Sequence, residues 1–282
     1  MRLIRFSHSG TTRVGRLDGD VVVDLSVFAD AGDSMRALLD AAAGDLSVLA
    51  SVDGEHFALS DVHLEAPITD PQKFLAIGMN YEAHADEARA AGVPVPDSQL
   101  WFNKQVSCIS GPTDPIVMPA VSDMLDYEAE LGYVIGKTCR HVARADAFSV
   151  IAGYLVVNDV SVRDWQMRSQ TMTLGKSFDT HGPIGPWITT PDEIDDPEKL
   201  EIKLWVDGEI RQNARTDDLI YKIADQIAYL STVMTLYPGD VIATGTPSGV
   251  GAATRTWLKK GQTVKVAIEG LGEIENVIVG EE

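Results

Sequence analysis

Short apolar runs of strand length, separated by glycine and proline, make up most of the chain, and only three stretches repeat their apolar residues at helical spacing. RLIRF and VVVDL set aliphatic and β-branched residues around the turn RLDGD, whereas MRALLDAAA is patterned as a helix. Around Pro67 the segment APITDPQK gathers prolines and turn formers, and FLAIGMNY then begins a different texture. A boundary near residue 70 therefore divides a small N-terminal α+β domain, 1–70, from the remainder, 71–282.

Beyond the boundary, YEAHADEARAAG is patterned as a helix, and the prolines of VPVPDSQ stop it in an exposed loop. From WFNKQ to Trp205 the runs PIVMP, YEAELGYVIG, GYLVVNDVSV, GPWITT and LEIKLWVDGEI read as strands, the last carrying a hairpin turn at Val206-Asp207-Gly208-Glu209. One long helix is predicted from Leu219 to Met234, with Asp217 and Asp218 as caps and Pro238-Gly239 beyond its end. Strand, glycine-rich turn and strand close the chain through DVIATGTPSGVG and TVKVAIEG, giving an α+β, β-rich fold.

Within this frame the stretch DYEAELGY is unusual. Read as a strand, it sets Asp126, Glu128 and Glu130 on one face and Tyr127, Ala129 and Leu131 on the other. A solvated acidic stripe is the plain explanation, yet the run continues into apolar LGYVIG and precedes GYLVVNDVSV, where Asn158 and Asp159 interrupt a core-like strand. Carboxylates buried together repel one another and lose hydration worth several kcal/mol each, so they need a cation, a proton or a paired base. Two acids from one strand and one from a neighbour form an all-oxygen site of the kind hard divalent ions take.

Composition narrows the partners. The 282 residues are 45% hydrophobic and 23% charged, which is enough apolar material for one large core or two modest ones. Forty-two acids against 23 bases leave a formal charge of −19, which repels nucleic acid and anionic membranes. MRLIRFSHSGTTRVG lacks the apolar core of a secretory signal and no run approaches bilayer length, so a cytoplasmic location is expected. Cys108 and Cys139, without partners at metal-binding spacing, read as reduced packing residues.

NYEAHADE, WFNKQVSCISGP, DYEAELGYVIGK, GYLVVNDVSVRDWQ, LGKSFDTHGPIGPW and GDVIATGTPSGVG follow one another in an order that resembles the fumarylacetoacetate hydrolase family over residues 70–282. The segment before residue 70 resembles the small variable domain that many bacterial members carry. This resemblance implies a β-rich C-terminal roll or barrel and a homodimer. It also implies a divalent metal, Mg²⁺ or Mn²⁺ with Ca²⁺ admissible, and places Glu128, Glu130 and Asp159 at the ligand positions. Asp126 stands outside that set, either as a support for the others or as a polar start to the strand.

His84 and Glu87 are three apart on one helical face, which by itself describes a surface pair. The resemblance makes them a dyad in a lid spanning about 80–100, with Glu87 orienting His84 to take a proton from water. It likewise turns Lys176, locally an ordinary loop lysine, into a group facing the metal and the negative charge of the substrate. Arg163 and Gln166 match substrate-facing positions, Thr246 matches the threonine of an active-site turn, and Tyr81 and Phe178 are candidates to line the pocket. TGTPSGVG lacks a Gly-Lys-Ser/Thr ending and is expected to open no helix, which excludes a phosphate loop. Val162 and His181, where the family usually has alanine and phenylalanine, depart from the pattern near the pocket and bear on the substrate.

The implied activity is metal-dependent hydrolysis of a carbon–carbon bond in an acylpyruvate or β-diketone. The same ligand set serves decarboxylation of a β-keto acid such as oxaloacetate, or isomerisation or hydration of a 2-oxo-diene acid. A non-catalytic ion-binding protein is the reading from another class. His84, Glu87 and Lys176 argue against it, because a structural ion has no use for a general base.

Overall fold

The computed structural model describes residues 1–281. Ala129–Ile135 lies inside a twelve-stranded sheet, antiparallel to Ile151–Asn158 on one side and to Val241–Ala243 on the other. Both of its faces are covered: Leu131, Tyr133 and Ile135 enter one hydrophobic core and Val134 enters a second. A strand buried on both sides needs no polar face, which is why the sequence after Glu130 runs apolar without alternation.

A five-stranded sheet, ordered Glu209–Arg215, Glu201–Val206, Thr263–Ile268, Gly272–Gly280 and Ile116–Met118, closes the first core together with the helix Ile223–Val233. The helix Met35–Ala42 closes the second, its first turn capped by Ser34 Oγ accepting from Ala37 N at 3.1 Å. The hairpin turn has Asp207 at φ 50° and Gly208 at φ 80°, the conformation that Asp-Gly favours. Among the described residues no helix is long and apolar enough to cross a membrane. Cys108 and Cys139 are both free thiols.

The change of texture near residue 70 is not a break in the sheet. Arg2–His8 pairs with Gly182–Thr189 through Arg2↔Thr189 and Leu3↔Ile188, and Thr11–Asp18, Val21–Asp24 and His56–Ala58 extend that edge outward. The N-terminal ammonium reinforces the seam by donating to Thr190 Oγ1 at 2.7 Å and Glu193 Oε1 at 2.9 Å.

One helix begins later than its apolar pattern predicts. Leu219 forms an isolated bridge with Tyr81, and the amides of Ile220 and Tyr221 donate to the backbone oxygen and Oδ1 of Asn80, each at 2.8 Å. These residues are thus held extended, and the α-helix runs only from Ile223 to Val233, with Asp225 Oδ2 accepting from Lys222 N at 3.2 Å. Asp218 caps a different helix, accepting from Ala83 N at 3.1 Å. A tertiary contact has overridden the local periodicity.

Val162 and His181 bear on packing, contrary to the expectation that they shape the pocket. Val162 is buried in the first core opposite Leu125. His181 is buried, donates from Nε2 to the Val117 oxygen at 2.8 Å, and stacks at 5.4 Å from Phe178. A carbonyl can only accept, so Nε2 carries a proton.

Burial pushes the His181 pKa down to about 4. Below the ordinary histidine range the unfolded chain takes up a proton that the folded one refuses, so stability present at pH 7.5 falls as pH approaches 4. Thermal or denaturant unfolding at pH 7.5 and pH 5 should therefore show His181→Phe losing about 2 kcal/mol less than the parent protein over that interval. Equal losses in the two proteins would contradict the assignment.

Candidate metal centre and its lid

The acidic centre arises from cross-strand register. Ala129 pairs with Asn158 and Glu130 with Val157, and Asp159 N donates to the Glu128 oxygen at 2.9 Å. Residues opposite one another share a face and residues two apart share a face, so this pairing puts Glu128, Glu130 and Asp159 on one side of the sheet. Their ligand atoms all lie within 4.8 Å of one another, and all three residues are buried. Asp126 does not continue the same strand. It pairs with Ser161 in a separate two-stranded ladder.

Three cations meet these acids. Lys176 Nζ donates to Glu128 Oε2 at 2.6 Å and Asp159 Oδ2 at 2.7 Å, and Lys104 Nζ donates to Asp159 Oδ1 at 2.7 Å. The guanidinium of Arg163 binds Asp126 Oδ2 and Glu128 Oε1, both at 2.7 Å. Burial would raise the Glu128 pKa, but Lys176 and Arg163 outweigh it and hold the carboxyl at about 2. Burial also works against the charge on Lys176, and Asp159 and Glu128 reverse that, so its ammonium is held protonated. Glu130 alone has no cationic partner among the described residues and accepts only from Gly245 N, at 2.8 Å. Burial, then Asp159 and Glu128, push its pKa well above the carboxylate range. With Asp126 included, four carboxylates face three cations, and the uncompensated charge falls on Glu130. Hard oxygen donors with one charge left over fit a divalent ion.

Close backbone approaches hold the walls together. Gly245, at φ 97°, has its own amide on Glu130, and a Cβ there would lie 2.8 Å from Asn80 Cβ. A Cβ on Gly175 would meet Gln166 N at 2.1 Å, so glycine is what lets the segment bearing Lys176 pack against Arg163–Gln166. Thr246 Oγ1 accepts from Gln212 Nε2 at 2.9 Å, leaving its hydroxyl hydrogen free to donate inward.

The segment TGTPSGVG does open a helix, contrary to expectation, in the single turn Gly251–Thr254. No phosphate is needed there, because Asp126 accepts from Gly251 N at 2.7 Å and Ala252 N at 2.9 Å. Asp126 is accordingly a support: it is fully buried, anchors that turn and holds Arg163 against Glu128.

Above this centre runs the lid helix Glu82–Ala90, reached through Met79, whose φ of 54° is left-handed. His84 Nδ1 lies 3.0 Å from Glu87 Oε2, which directs Nε2 away from the carboxylate. A small cavity of about 80 Å³ touches Glu128, Glu130, Lys176, Thr246, Gln166 and His84. It adjoins a larger one of about 660 Å³, and Met79, His84, Arg163 and Gln166 line both.

Nine of the ten predicted site residues therefore converge, counting Asp159 through its bonds to Lys176 and Lys104. Tyr81 does not, because its side chain, at the start of the helix Glu82–Ala90, is fully buried and lines neither cavity. Phe178 also stands back, edge-on to Trp165 at 5.4 Å. Lys104, Gln212 and Asn80 went unrecognised. A lysine just beyond the apolar run LWF was the available signal for Lys104, and an asparagine ending the apolar run FLAIGM was the one for Asn80, while Gln212 sits in the polar stretch EIRQNAR, which marks nothing.

Residues 73–279 match the family described as fumarylacetoacetate (FAA) hydrolase C-terminal, and residues 1–67 match one described as Rv2993c-like, N-terminal. A Burkholderia ambifaria protein whose name goes no further than hydrolase is 46% identical over 282 residues, covering 97% of each chain. Among solved structures, maleylpyruvate hydrolase from Sphingobium sp. SYK-6, in complex with manganese (II) ion and pyruvate, is 36% identical with a TM-score of 0.81 and covers 100% of both chains. The 5-carboxymethyl-2-hydroxymuconate delta-isomerase of Mycobacterium smegmatis is 35% identical with a TM-score of 0.82, again over 100% of both. The family match over residues 73–279, with sequence likeness over nearly the whole length on a shared fold, establishes that the chain belongs to the fumarylacetoacetate hydrolase family.

Proposed function

We propose that the protein hydrolyses a carbon–carbon bond in an acylpyruvate or related β-diketone, with Glu128, Glu130 and Asp159 holding Mg²⁺ or Mn²⁺. The observation that carries this reading is the placing of His84, oriented by Glu87, on the same small cavity as Glu128, Glu130 and Lys176. A hard dication bound by these carboxylates supplies Lewis-acid polarisation of the substrate's oxygens. The complex of a relative with manganese and pyruvate supports an oxo-acid head at this end.

The protein's own groups then divide the work. His84 Nε2 takes a proton from water, and the water oxygen bonds to the distal carbonyl carbon of the substrate. The bond from that carbon to the adjoining methylene breaks, its electron pair passing to the oxo-acid fragment, and His84 returns the proton to the methylene carbon. Lys176 uses two of its three N–H groups on Glu128 and Asp159, leaving the third for the fragment's negative charge. The Thr246 hydroxyl, fixed by Gln212, donates to the substrate carboxylate. The lid over 80–100 excludes bulk water once the substrate is in place.

Two experiments check this. With Mn²⁺ supplied, His84→Ala should lower acylpyruvate hydrolysis about 100- to 10,000-fold. Any oxaloacetate decarboxylation should fall far less, because that reaction needs no activated water. Equal losses would remove His84 from the role of base, and cleavage indifferent to chelation would remove the metal. In the second, saturating Mn²⁺ should raise the melting temperature of the metal-free protein by on the order of 5 °C. Glu130→Gln should abolish that rise while melting no lower than the metal-free parent, since it removes a carboxylate that is costly to ionise without a counter-charge. A Mn²⁺ shift persisting in Glu130→Gln would exclude Glu130 as a ligand.

A further inference from the structure

The two adjoining cavities differ in character. The small one sets Glu128, Glu130, Lys176 and Thr246 against Ile77, Leu100, Phe102 and Met172, whereas the large one presents Met79, Met124, Met167, Val250 and Trp257 together with Ala88 of the lid helix. Its volume of about 660 Å³ is far more than an acetyl group occupies.

Apart from Arg255, the charged groups on the larger wall are already engaged. Glu87 is bound to His84, and Arg163 to Asp126, Glu128 and Gln166. Asp164 accepts from Ser122 Oγ at 2.5 Å and Arg168 Nη2 at 3.4 Å. Arg255 has no ion-pair partner among the described residues, but it is exposed on the rim, where water screens it. A carboxylate entering this chamber would lose hydration and gain no buried counter-charge. An alkyl or aryl group would displace water from apolar walls, and flexible methionines adapt to its shape.

We infer that the larger chamber receives the acyl substituent of the substrate, and that this substituent is an uncharged alkyl or aryl group several carbons long, not a chain ending in a carboxylate. The inference rests on the reading of the carboxylate centre as the seat of the oxo-acid head. Bond cleavage is not required for it, because the chamber selects by binding.

Titration calorimetry on the full-length protein supplied with Mn²⁺ tests it with 2-oxo acids that lack the scissile bond. From pyruvate through 2-oxohexanoate to 2-oxooctanoate, Kd should fall about threefold per added methylene. At matched length 2-oxoadipate should bind about tenfold more weakly than 2-oxohexanoate. Met167→Glu, at a position 82% exposed and so tolerant of change, should weaken 2-oxooctanoate about fivefold more than pyruvate. The inference is overturned if Kd is flat with chain length. It is equally overturned if 2-oxoadipate binds more tightly and Arg255→Gln erases that preference, since the rim would then be reading an anionic tail. If the apolar ranking holds but no acylpyruvate is cleaved, the substrate class stands and hydrolysis falls.

Discussion

A charge imbalance in a buried place organises this molecule. Asp126, Glu128, Glu130 and Asp159 are all held out of water, the last three on one face of the central strands and Asp126 on the separate two-stranded ladder, and Lys104, Arg163 and Lys176 neutralise three of the four. Desolvated ion pairs are tolerated only where geometry and hydrogen bonding are good. Each of these carboxylates does accept several bonds except Glu130, which has the Gly245 amide alone. A dication would overshoot the single remaining charge by one, and an anionic oxo acid would restore neutrality. On the function proposed above, the protein scaffold, ion and substrate head would complete one electrostatic unit.

The lid is coupled to that unit through backbone contacts. Asn80 clamps residues 220 and 221 and donates to the Thr244 oxygen at 2.7 Å, next to the Gly245 amide that serves Glu130. Asp218 caps the first turn of the helix bearing His84 and Glu87. His84 and Glu87 are therefore mounted on a short helix whose root is tied to the segment that supports the acids.

Family membership leaves the carbon skeleton undecided, since relatives of equal likeness include a hydrolase and an isomerase. In this chain the polar end gives way, farther out, to methionine, valine and tryptophan walls. Val162 and His181, whose sequence departs from the family pattern, sit in packing and not on those walls.

Local sequence determined a good deal. Turn chemistry located the hairpin at Asp207-Gly208, and periodicity identified the strands and the helices Met35–Ala42 and Glu82–Ala90. The two-residue repeat of a strand likewise placed Glu128 and Glu130 on one face, because side-chain direction alternates whatever the surroundings. Tertiary structure decided the rest. Whether Asp126 stays with its neighbours depends on a strand break, and the start of the helix at Ile223 depends on Asn80, 143 residues earlier in the chain. Lys104 and Gln212 join the site only because distant strands fold against it. Local periodicity carries the direction of a side chain but not the identity of what it meets, and burial, charge pairing and the freedom of Arg255 are all properties of what is met.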